Sequence, residues 1–164
     1  MTIRDILTYP DPRLLQAAQK VQVVDADIKT LVEDMFETMY ADDGIGLAAP
    51  QIGVCAQVLV MDLSPDRSAQ ICLINPEIIA RKGSTTCEEG CLSLPGVRFP
   101  ITRAEWVQIR ALDEHGKLIE GEADGWLARC IQHEMDHLEG KVMFDHLSAA
   151  EQARAKQVYL EMNP

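Results

Sequence analysis

Several things are scarce or missing in this chain of 164 residues, and each absence narrows the field. No apolar run approaches the ~20 residues that a membrane-spanning helix needs, so no membrane contact is expected. The first residues, Met1-Thr2-Ile3-Arg4-Asp5, lack the apolar core of a secretory signal and the Arg/Ser-rich character of a transit segment. There is no Cys-x-x-Cys. The five cysteines, Cys55, Cys72, Cys87, Cys91 and Cys130, are odd in number and do not cluster as in a small secreted scaffold. Reduced thiols in a cytoplasmic protein fit that pattern. Basic residues are the minority: Lys plus Arg is 15 against 26 for Asp plus Glu, a net charge of −11. That argues against a broad nucleic-acid-binding surface. Internal repeats, low-complexity tracts and interdomain linkers are also missing, so one domain over residues 1–164 is expected. Hydrophobic residues at 47% and charged residues at 25% suit a soluble globular core.

What is present centres on Ile131-Gln132-His133-Glu134-Met135-Asp136-His137-Leu138-Glu139-Gly140. It contains His-Glu-x-x-His. On a helix, His133 and His137 project from one face and can grip one metal ion, with Glu134 able to reach a water on that metal. Asp124 is the expected N-cap of this helix and Gly140 the expected C′ residue. At ~100° per residue, Trp126, Cys130, His133 and His137 share one arc. Leu127, Ala128, Ile131, Glu134, Met135 and Leu138 fill the next. Arg129, Gln132, Asp136 and Glu139 form the polar stripe, with Asp136 supporting the structure and not ligating. Such a helix is mostly buried. The alternative is a chance pair of core histidines, but two unpartnered imidazoles and a carboxylate in a core are costly.

Two histidines leave a metal under-coordinated, so a third ligand must come from elsewhere. Glu88-Glu89-Gly90-Cys91-Leu92-Ser93-Leu94-Pro95-Gly96 offers the best candidate in Cys91, because thiolate binds zinc-like and iron-like metals strongly. Cys87 competes for that place. Cys130, on the motif helix, is read as pocket lining, and Cys55 and Cys72 as small buried hydrophobes. Gly44-Ile45-Gly46-Leu47-Ala48-Ala49-Pro50-Gln51 reads as a tight helix-to-strand loop that lets backbone approach something closely.

Ile28, Leu31, Val32, Met35 and Met39 follow helical spacing, capped by Asp25 or Asp27 and ended before Gly44. A short helix is expected after Asp11-Pro12. Strands are expected over 57–62, 71–80, 98–102 and 106–112, the last pairing with 117–123 across a turn at Asp113-Glu114-His115-Gly116. His115 reads as a solvated turn residue and His146 as surface or packing. Ser148-Ala149-Ala150-Glu151 starts a C-terminal helix. The fold class is therefore α+β, with antiparallel strands surrounding a buried helix that carries the metal motif, and with a C-terminal helix.

Three stretches together, in order and spacing, resemble the peptide deformylase family: Gly44 to Gln51, Glu89-Gly90-Cys91-Leu92-Ser93, and Gln132 to Gly140. The resemblance covers nearly the whole chain. It implies removal of the formyl group from the formyl-methionine of newly made polypeptides. It assigns Cys91, His133 and His137 as ligands of one divalent metal per chain, Fe2+ in the cell, with Zn2+, Ni2+ or Co2+ able to substitute. A metal-held water would attack the formyl carbon, with Glu134 as general base and then acid. The Gln51 amide and the Leu92 N–H would receive the oxyanion. Ile45, Trp126 and Cys130 would shape the methionine pocket beside His133. Gly46 and Gly90 would pair with extended substrate, Arg98 would sit beside it, and Arg129 would lie at the rim. In some members a strongly basic C-terminal helix docks on the ribosome. Here Arg154 and Lys156 stand against Glu151 and Glu161, so such docking is not expected beyond transient contact. A monomer is expected. Two other classes carry the same helix: a zincin-like peptidase with a different third ligand, and a structural zinc protein, against which Glu134 argues.

Overall fold

The computed structural model describes residues 2–164. Its first long helix, α1 (Ala26–Ala41), starts where the Asp25 carboxylate accepts the Ile28 N–H at 3.0 Å. Seven strands follow, β1 (Gly46–Ala48), β2 (Val58–Met61), β3 (Ile71–Lys82), β4 (Thr85–Cys91), β5 (Leu94–Arg103), β6 (Trp106–Leu112) and β7 (Leu118–Asp124). Then come α2 (Gly125–Leu138), which carries the motif, and α3 (Ala149–Met162). Five strands form an antiparallel sheet in the order β1-β2-β3-β6-β7, and β4 and β5 form a separate hairpin. The α+β expectation holds, with the C-terminal helix in place.

Alternation along the central strands explains the layers. In β2, Leu59 and Met61 face α2 and pack with its Ala128, Cys130, Ile131 and Leu138. Val58 and Val60 point the other way, onto Leu31, Val32, Met35 and Met39 of α1. Side chains alternate across a strand, so a strand buried on both faces reads as an unbroken apolar run. The hairpin has its own core, where Leu94 and Ile101 meet Phe144 and Tyr159. The metal helix is thus held between the sheet and the hairpin. It stops at Gly140, whose φ of +75° disfavours a side chain and where a Cβ would lie 2.7 Å from the Leu15 carbonyl oxygen.

Four local expectations change. The Gly44 to Gln51 loop contains β1 and a short 3-10 turn, Ala49–Ile52. The helix after Asp11 is a single 3-10 turn, Pro12–Leu15. The irregular stretch around Cys91 is the end of β4 and the turn into β5, which starts four residues before the expected strand. Cys55 is exposed, not buried, because it lies outside the strands beside the chain at Ala17. Among the described residues no helix is long and apolar enough to cross a membrane.

Candidate metal centre

One helical turn separates His133 from His137, and their ring centroids lie 5.4 Å apart. The end of β4 brings Cys91 up to them, with its Sγ 3.3 Å from His137 Nε2. One ligand atom from each of Cys91, His133 and His137 falls within 4.8 Å of the others. Cys87, four residues before the end of β4, is not part of that group.

The orientation of His133 is fixed from behind. Its Nδ1 lies 2.9 Å from Glu89 Oε1. An ionised carboxylate only accepts, so Nδ1 is a donor and Nε2 is the nitrogen left to face a metal. Glu89 also accepts from Arg103 Nε at 2.7 Å and Nη2 at 2.9 Å, and from Arg129 Nη1. Arg103 passes its Nη1 to Asp136 at 2.9 Å, and Asp136 pairs with His146 Nε2 at 2.6 Å. Glu89, Arg103 and Arg129 are all buried, and their charges are matched, as buried ions must be.

The charges set the protonation states. Burial works against the Glu89 carboxylate, but His133 and Arg103 outweigh it and hold the group well below the usual carboxylate range. Burial also opposes a Cys91 thiolate, yet the His137 and His133 imidazoles pull the thiol well below its ordinary value. Cys130 has no such neighbours: burial, then the Glu134 and Glu89 charges, push it well above the thiol range. It stays neutral and lines the wall. Burial raises the Glu134 carboxyl, while His133 and His137 pull the other way.

These residues fit a divalent metal with nitrogen and sulfur ligands. A thiolate and two imidazoles converge on one point, and two buried atoms, Glu134 Oε2 and His137 Nδ1, have no hydrogen-bond partner among the described residues. Three protein ligands would leave a fourth position open, as catalytic sites do and structural sites do not.

A cavity of about 630 Å³ opens beside this point. Ile45, Gly46, Gln51, Gly90, Leu92, Arg98, Trp126, Cys130, His133 and Glu134 all line it, as does Cys91. Gly46 is a close approach: a Cβ there would sit 2.9 Å from Glu134 Oε2 and 3.0 Å from Cys130 Sγ. The Gln51 amide oxygen accepts the Ala48 N–H at 2.8 Å, and its Nε2 donates to Ser93 Oγ at 3.0 Å. Trp126 lies at the mouth, 57% exposed.

The model of the family described as polypeptide deformylase matches residues 3–153. The chain belongs to the polypeptide deformylase family. It is similar to a solved peptide deformylase of Legionella pneumophila, at 45% identity and a TM-score of 0.93, over 98% of this chain and 95% of that one. A peptide deformylase of Ehrlichia chaffeensis in complex with actinonin is 39% identical, with a TM-score of 0.92 over 100% of both chains. One from Thermotoga maritima is 37% identical, with a TM-score of 0.86 over 90% of this chain and 99% of that one. Membership sets aside the peptidase and structural-zinc alternatives.

Within this deformylase fold, two sequence expectations need correction. Arg129 lines the cavity, as expected, but it does not stand in solvent as its place on the polar stripe suggested. It is buried, donating to Glu89, Ile101 O and Thr85 O. Gln132, also placed on the polar stripe, is buried against the Ala104 backbone. The hairpin and the residue after it cover Arg129 and Gln132, whose polar groups serve the interior, while Glu139 at the end of the stripe stays exposed. Glu89 had no place in the site read from sequence. Period-2 alternation puts Cys87, Glu89 and Cys91 on one strand face, and that signal could have flagged an inward acid beside the thiolate.

Proposed function

We propose that this chain removes the formyl group from N-formyl-methionyl polypeptides at the cavity beside Cys91, His133 and His137. Deformylation is the activity of the family to which it belongs. The observation that carries the assignment of residues is the convergence of three ligand atoms beside a buried, unpartnered Glu134 oxygen. Cys91 Sγ, His133 Nε2 and a nitrogen of His137 are the proposed ligands of one divalent ion. We propose Fe2+ as that ion in the cell, with Zn2+, Ni2+ or Co2+ able to take its place. When bound, the metal supplies Lewis acidity and makes a water nucleophilic at neutral pH.

The remaining steps belong to the chain. Glu134 takes the proton of the attacking water and returns it to the departing amine. Its raised affinity for a proton suits both halves of that exchange. The Gln51 amide and the Leu92 N–H receive the charge that develops on the formyl oxygen. Ile45, Trp126 and Cys130 take the methionine side chain, Gly46 and Gly90 offer backbone to the extended peptide, and Arg98 lies beside it. The neutral, buried Cys130 keeps that wall apolar. We further propose that residues 1–164 act as one domain, as a monomer in the cytoplasm, on nascent chains met by transient ribosome contact at most.

The test is Glu134→Ala. The variant is expected to keep one metal per chain while turnover of a formyl-Met-peptide falls by ~10²–10⁴. Loss of the metal, or near-normal turnover, would remove Glu134 from this role.

A further inference from the structure

Ser93 has no task in the chemistry above, yet its side chain is fully buried between the two halves of the site. Its hydroxyl oxygen accepts one N–H of Gln51 at 3.0 Å. The other end of that amide is pinned, because the Ala48 N–H can only donate and holds Oε1 at 2.8 Å. Nε2 must then face Ser93 and the metal ligands, and it lies 3.7 Å from Cys91 Sγ. With one N–H on Ser93, the second is turned toward Cys91 Sγ and the cavity that both residues line.

The backbone reinforces this. The Leu7 N–H donates to the Gln51 carbonyl at 2.7 Å, and two residues on the Tyr9 N–H donates to the Ser93 carbonyl at 2.9 Å. The N-terminal segment therefore ties Gln51 and Ser93 at a fixed spacing. Its own Tyr9 carbonyl is held by the hydroxyl of buried Tyr159, on α3, at 2.9 Å. The torsion that turns a glutamine amide is soft and broadly populated, so fixing one end alone does not aim the other. A fixed donor is what oxyanion binding requires.

We propose that Ser93 is a positioning residue: it holds one N–H of the Gln51 amide so that the other points at the formyl oxygen. This rests on the role given to Gln51 above. Ser93 acts only through Gln51, which makes the assignment separable from a general structural role.

The experiment is a double-mutant cycle in the nickel-loaded enzyme, with kcat and KM for a formyl-Met-peptide, metal per chain, and the 15N-edited side-chain amide signals of Gln51. Gln51→Ala is expected to lower kcat by roughly 10²-fold, as for loss of an oxyanion donor. Ser93→Ala is expected to lower kcat roughly tenfold with KM little changed, since the donor is mis-aimed and not removed. The two Gln51 NH2 proton signals, set apart by unequal partners in the wild type, should move together in Ser93→Ala. The double variant should be no slower than Gln51→Ala alone. Wild-type kcat in Ser93→Ala, losses that multiply in the double variant, unmoved amide signals, or a metal content below one per chain would each overturn the assignment. A Gln51→Ala enzyme with normal kcat would instead overturn the role of Gln51, so the two failures are told apart.

Discussion

Glu89 turns His133 toward the metal position through one hydrogen bond, 2.9 Å from Oε1 to Nδ1, while the rest of its carboxylate is taken by Arg103 and Arg129. One buried group thereby orients the histidine and is shared between two buried cations, with Asp136 supplying a second carboxylate to Arg103. Glu89→Ala should therefore fail twice. Metal affinity should fall ~10–100-fold, as when the partner of a ligand histidine is lost. Stability should fall by about 3–5 kcal/mol, because Arg129 is left buried without a carboxylate and Arg103 keeps only Asp136. Competition with a chelator reads the first effect and urea unfolding of metal-free protein reads the second. A stable variant with unchanged affinity would remove Glu89 from both roles.

The two cysteines of β4 should behave differently. Cys91→Ala is expected to lose metal and activity together, since its Sγ stands beside His137 Nε2. Cys87→Ala is expected to retain both. Metal per chain after dialysis decides, and the reverse pattern would move the third ligand to Cys87.

A pH effect is expected far from the site. Asp34 is buried on α1 and accepts from Arg4 Nη2 at 2.7 Å and from the Thr2 N–H at 2.8 Å. The Arg4 hydrogen bond holds the Asp34 carboxyl below its ordinary value. A carboxyl with a folded-state pKa below its unfolded value stabilises the fold above the unfolded value, near ~3.9, and loses that contribution as pH falls through the folded one. Asp34→Asn should cost about 1–2 kcal/mol at neutral pH, a charged-group hydrogen bond discounted for the solvent at Arg4. It should also flatten the acid limb of stability from about pH 5 downward. Parallel curves for the two metal-free proteins would show that Asp34 does not contribute this way.

Much of this was legible in the sequence where the pattern is local. Helical spacing marked α1 and α2, and alternation marked β6 and its partner β7. The His-Glu-x-x-His spacing follows from one helical turn, so it survives translation into three dimensions. What escaped depends on tertiary cover. Arg129 and Gln132 sit on a polar stripe that a wheel assigns to solvent, yet the β4–β5 hairpin and the residue after it cover them and turn them inward. β1 is three residues long and exists because Leu47 pairs with Val60 of β2, a partner no local signal announces. Ser93 is an ordinary turn residue in sequence, and only the closeness of Gln51, 42 positions away, gives it a task.

The most direct test of the account compares kcat/KM for formyl-Met and acetyl-Met peptides under one metal loading. The substrates differ by one methyl at the carbon under attack. Formyl carries hydrogen there, so nucleophile, Leu92 N–H and Gln51 amide can all close on the group. Acetyl is less electrophilic and brings a methyl into a space bounded by the Gly44 to Leu47 backbone and the histidines. A misplacement of about 1 Å at a reacting centre can cost ~10²-fold. The formyl peptide is expected to be cleaved at least ~10²-fold faster. Comparable values for the two peptides would contradict it and make the protein a less selective N-acyl-peptide hydrolase.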